Sequence, residues 1–85
     1  MTMLSEQPTA AASRTVDARG SFCPGPLMEL IRAIRESAVG TVIAVRSSDR
    51  GSKVDIPKWV QKAGHRLVGL TEVDGYDEII VEKLH

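Results

Sequence analysis

Eighty-five residues suffice for one domain and leave no room for a second. Hydrophobic residues make up 42% and charged residues 26%, but only Phe22, Trp59 and Tyr76 are aromatic, so a globular core here must be aliphatic. Eleven basic residues cancel eleven acidic ones, which excludes a protein that coats nucleic acid through bulk charge.

Residues 1–13 are rich in Ala, Ser and Thr, without apolar periodicity, and are expected to form a mobile tail ahead of a single domain over 14–85. They lack the basic start and apolar run of a secretory leader. A short strand is predicted from Arg14 to Ala18, with Val16 facing the core and Gly20 ending it. A helix follows, because Leu27, Leu30, Ile31 and Ile34 recur at helical spacing. With Cys23 as its N-cap, Pro24 falls at the first helical position and Pro26 at the third, where a missing N–H costs nothing. Phe22 and Leu27 then occupy the positions of a hydrophobic staple. The helix should run to about Ser37, with Gly40 as its stop.

Thr41 to Ser47 is β-branched and nearly continuously apolar, as a central strand covered by helices would be. Ser52 and Asp55 are both candidate N-caps for a second helix. Pro57 pushes Ile56 away from helical angles, which predicts an irregular first turn and a helix from about Pro57 to Ala63, ended by Gly64. Leu67 to Val73 and Tyr76 to Leu84 read as strands joined at Asp74-Gly75, a strong two-residue hairpin signal. In the last strand Ile79 and Val81 share one face and Ile80 lies on the other. The order β-α-β-α-β-β implies an α/β (α+β) two-layer sandwich: a mixed four-stranded sheet with both helices on one face.

Charge is unevenly spread. Residues 48–66 carry five cations against two carboxylates, and residues 67–85 carry five carboxylates against one cation. Asp49, Arg50, Lys53, Lys58 and Lys62 are thus candidates for a docking face toward an acidic partner, the alternative being an ordinary solvated surface.

The chemistry centres on Cys23, the chain's only cysteine. It cannot form an internal disulfide, and the absence of any stretch of 18 apolar residues predicts no membrane span, so a reducing cytoplasm is the default compartment. A helix N-terminus carries partial positive charge and unpaired N–H groups. Both favour a thiolate, with Gly25 and Leu27 offering amides where Pro24 and Pro26 cannot. Arg19 is a further nearby cation, while Asp17 and Gly20 read as shaping the entering loop. His65 and His85 are far from Cys23 in sequence and show no metal-ligand spacing with it, so neither a Cys–His hydrolase nor a metal site is expected. Without a second thiol, chemistry at Cys23 must be resolved by another molecule, which points to a carrier or relay rather than a self-contained enzyme.

Asp17-Ala18-Arg19-Gly20-Ser21-Phe22-Cys23-Pro24-Gly25-Pro26 resembles the motif Asp-x-x-Gly-x-x-Cys-Pro-x-Pro of the TusA/SirA-like sulfur-carrier family. Asp49 and Asp55-Ile56-Pro57 resemble further family positions, and the likeness covers about residues 14–84. It implies the same βαβαββ sandwich, and a sulfurtransferase-type relay in which Cys23 accepts a sulfane sulfur as a persulfide. The donor would be a cysteine desulfurase or rhodanese-type protein. The sulfur would pass to an acceptor protein serving tRNA thiolation, molybdenum-cofactor synthesis or sulfur oxidation. No cofactor, direct nucleic-acid contact or membrane partner is implied. The sequence departs from the family at Gly25, where many members carry Glu or another bulkier residue, and at Asp49-Arg50, where an Asp-Pro pair is common. Two other readings use the same residues: a regulatory or redox interaction module in which Cys23 forms a mixed disulfide or only docks, and a nucleic-acid adaptor using the cations of 48–66.

Overall fold

A computed structural model describes residues 13–22 and 24–85; the leading segment to residue 12 and Cys23 lie outside the described residues. The element order is β1 (Arg14–Asp17), α1 (Gly25–Glu36), β2 (Val42–Ser47), α2 (Ser52–Ala63), β3 (Arg66–Val73) and β4 (Tyr76–Glu82). Ser13, read from sequence as the end of the tail, is already attached to the sheet: its N–H donates to Val42 O at 2.8 Å.

Strand order is β1-β2-β4-β3. β1 pairs parallel with β2, while β4 lies antiparallel between β2 and β3. The alternation of β4 sets its faces: Ile79 and Val81 are fully buried, and Glu78, Ile80 and Glu82 between and beside them are half-buried. Their cross-strand partners Val45 and Ile43 are buried too. Leu30, Ala33 and Ile34 of α1 and Ile56 and Val60 of α2 join them in one aliphatic cluster, which puts both helices on the same side of the sheet. Burying each large aliphatic chain contributes about 1.5–3 kcal/mol. This cluster is therefore the main stabilising feature of the fold. Thr15, Asp17, Arg46, Tyr76 and Glu78 occupy the helix-free face by the same register.

Three local expectations are corrected. α1 begins one residue later than read: Pro24 is the N-cap and Pro26 the second helical position. The Phe22–Leu27 staple does not form, for Phe22 is 80% exposed whereas Leu27 packs against the core. α2 is regular from Ser52 through Pro57, and neither Ser52 nor Asp55 is its cap; Gly51 is, without a side-chain bond. The Ser52 hydroxyl is instead fully buried and hydrogen-bonded to Ser47 Oγ at 2.8 Å. That bond and the burial of Ile56 hold the first turn helical against the local preference of the residue before proline.

The ends of both helices are closed by the segment after β4. Lys83 Nζ donates to Ile34 O and Ser37 O at 2.8 and 2.7 Å, placing a cation at the negative end of α1. Leu84 N–H donates to His65 Nδ1 at 3.1 Å, and His85 Nε2 donates to Ala63 O at 2.8 Å. The two imidazole rings stack with centroids 4.6 Å apart. β3 is an edge strand with a bulge between Leu67 and Gly69, a device that disturbs its free edge as a template for pairing.

Candidate functional site

The motif residues on either side of Cys23 occupy the passage from β1 into α1. Asp17 ends β1 and turns the chain by accepting the Arg19 backbone N–H at 3.2 Å. It also holds the Arg19 side chain in a fork, accepting from Nε and Nη2 at 2.8 Å each. That bidentate bond is the main reason its carboxyl is held down to about 2. Arg19 is therefore a neutralised cation, matched by Asp17 and laid over the Tyr76 ring with 4.9 Å from its guanidinium carbon to the centroid.

Gly20 adopts a φ of +90°, a left-handed value that side chains resist, and its N–H donates to Ser48 Oγ at 2.9 Å. Ser21 N–H returns to Ala18 O at 3.2 Å. Gly25 N–H donates to Phe22 O at 2.7 Å, joining the two residues that flank Cys23-Pro24. Of the two amides expected to face the sulfur, the one at Gly25 is thus engaged by backbone. Gly25 also has a steric reason to depart from the family's bulkier residues: a Cβ there would stand 3.1 Å from Ser21 Cβ. Pro26 is buried and anchors the first turn, while Pro24 is exposed. No acidic residue lies in that turn, so the positive end of α1 is not offset by its own side chains.

The docking candidates separate into two groups. Lys53 Nζ lies 2.7 Å from Glu72 and 3.6 Å from Asp77, so the sequence's segregated charges fold into pairs at this point. Arg66 likewise pairs with Glu82 at 2.8 Å. Arg50, Lys58 and Lys62 have no carboxylate partner among the described residues. Asp49 N–H donates to Ser47 Oγ at 3.1 Å, tying this residue to the start of the β2–α2 connection. Lys58 and Lys62 border a groove of about 590 Å³ with Leu27, Asp55, Trp59 and Gln61, beside the first turn of α1.

Tyr76, Ser48 and Arg46 were not marked by sequence. Arg46 and Ser48 reach it through the parallel pairing of β1 with β2, and Tyr76 because β4 inserts on the other side of β2, a pairing with no local signature. Among the described residues no group of three His, Cys, Asp or Glu could hold a metal ion, and no helix is long and apolar enough to cross a membrane.

A small α+β domain whose single cysteine stands in the sequence directly before the proline that caps its first helix is the class defined by this fold and site. The comparisons with known proteins agree on it. The family model for sulfurtransferase TusA matches residues 14–83. A candidate sulfur carrier protein of Archaeoglobus fulgidus is 55% identical over 69 residues, covering 81% of this chain and 94% of that protein. The sulfur carrier protein TusA of Pseudomonas entomophila is 43% identical over 61 residues, 72% of this chain and 76% of its own length. The crystal structure of a SirA-like protein from Desulfitobacterium hafniense superposes with a TM-score of 0.75 at 26% identity, covering 85% of this chain and 99% of that one. The chain belongs to the TusA family.

Proposed function

We propose that this chain carries sulfur on Cys23 and hands it from a donor to an acceptor protein. The observation that carries the reading is the family match across 14–83, which includes the whole cysteine motif. In the first step the Cys23 thiolate attacks the terminal sulfur of a donor persulfide, R–S–SH. A new S–S bond forms on Cys23, the donor's S–S bond breaks, and R–S⁻ leaves, so the outer sulfur moves with its proton and no net oxidation occurs. An acceptor thiolate then repeats the exchange on Cys23–S–SH and regenerates the Cys23 thiolate. The first turn of α1, free of acidic side chains, favours the anionic sulfur in both steps.

A cysteine desulfurase or rhodanese-type protein fits the donor role, since each presents a persulfide. Arg50, Lys58 and Lys62 are the docking cations in this reading, because none of them pairs with a carboxylate among the described residues. The lone thiol suits the reducing cytoplasm.

Incubation with a desulfurase and cysteine, followed by intact-mass measurement, tests the proposal. The wild type should gain one sulfur atom, released by dithiothreitol, and Cys23→Ser should gain none. A larger reducible adduct in place of one sulfur would favour the mixed-disulfide reading.

A further inference from the structure

The groove where α2 passes the first turn of α1 has an apolar floor and a cationic rim. Leu27 and Trp59 are half-buried and pack against the core from its edge, so the floor is held in place from below. Lys58 and Lys62 are exposed on the rim, one turn apart on α2. Cations four residues apart on a helix repel each other. Neither has a carboxylate partner among the described residues, whereas Arg46, Lys53 and Arg66 are matched by Glu78, Glu72 and Glu82. Lys62 meets the negative end of α2, but Lys58 lies mid-helix and gains nothing from it. Asp55 is the one carboxylate on the lining, so the cations are in excess.

An apolar centre with a tryptophan, inside a charged rim, is the anatomy of a protein-binding surface. The volume, about 590 Å³, suits a few side chains. The unmatched charge selects an acidic partner. A nucleic acid would need a longer track of free cations, and Lys53 and Arg66, to either side along the chain, are already matched. We propose that this groove docks an acidic segment of a partner protein. An apolar side chain of that segment lies on Leu27 and Trp59, and its flanking carboxylates meet Lys58 and Lys62. The inference rests on the sulfur-carrier reading only for there being partner proteins to bind.

The test is a titration of the full chain, carrying 5-fluorotryptophan at its single tryptophan, Trp59, and read by fluorine NMR. The probe is the acidic peptide acetyl-Glu-Glu-Leu-Phe-Glu-Glu-amide. The Trp59 resonance should move saturably, and a peptide with Lys in place of every Glu should leave it still. Lys58→Gln and Lys62→Gln should each weaken binding about two- to five-fold, the loss of one exposed charge pair. Arg66→Gln, the same change of net charge on β3, should not weaken it. Replacing Leu-Phe of the peptide by Ser-Ser should abolish the movement, which tests the floor without disturbing the core. A resonance that stays still with the acidic peptide overturns the proposal, as does equal weakening by all three substitutions. A larger response to single-stranded oligouridylate than to the peptide overturns it in favour of a nucleic acid. Movement on raising the concentration of the chain alone overturns it in favour of a second copy. The titration uses no sulfur, so its failure strikes the groove alone, and failure of Cys23 to load sulfur strikes the carrier reading alone.

Discussion

At the scale of residues, the site is governed by which polar groups already have partners. Asp17 has a fork of two N–H donors from Arg19, and that bond depresses its pKa to about 2. A depressed carboxylate pKa favours the folded loop above the ordinary Asp value, ~3.9, and this contribution is lost as pH falls through the folded value. Carboxyl-carbon NMR should find Asp17 titrating near 2 in the wild type and higher in Arg19→Leu, though still below the ordinary value because the backbone N–H of residue 19 keeps its bond; equal titrations would contradict the fork. Asp17, Gly20, Cys23 and the two prolines could be singled out from the sequence because the motif is contiguous. Engagement of the Gly25 amide and the pairing of Lys53 with Glu72 were not, because both depend on how distant or irregular backbone settles.

At the scale of elements, the strands and α1 follow from alternation and helical spacing, and the β-α-β-α-β-β order was readable to within a residue or two. α2 is the instructive exception. Local rules placed its start at Pro57, yet it begins at Ser52, because the burial of Ile56 and the Ser47–Ser52 bond outweigh the backbone preference at one position. That bond gives a direct prediction. Ser52→Ala leaves Ser47 Oγ without its 2.8 Å partner in a buried setting and should destabilise the domain by about 1–3 kcal/mol in urea unfolding. A change within a few tenths of wild type would mean that Ser47 is satisfied by Asp49 alone. Phe22 shows the reverse error: the staple pattern is present, but α1 starts a residue later and the ring stays outside.

Across the whole molecule, the segment after β4 links the far ends of both helices. His65 Nδ1 accepts the Leu84 N–H, so it must be unprotonated there, and the ring faces His85 and Lys83. Partial burial, reinforced by those two charges, lowers its pKa below the ordinary 6.5. Unfolded chain then binds the proton more readily, so stability is retained above 6.5 and declines as pH drops below it. Melting temperatures of His65→Phe should start lower at neutral pH, for want of the Leu84 acceptor, and fall less on acidification; a slope equal to that of the wild type would remove His65 from the account.

Radiolabelled cysteine sulfur, supplied through a desulfurase, should appear on the wild-type chain, map to the Cys23 peptide, and leave when a thiol acceptor is added. Label that stays on the Cys23→Ser variant, or that a thiol cannot remove from the wild type, would contradict a relay through this cysteine.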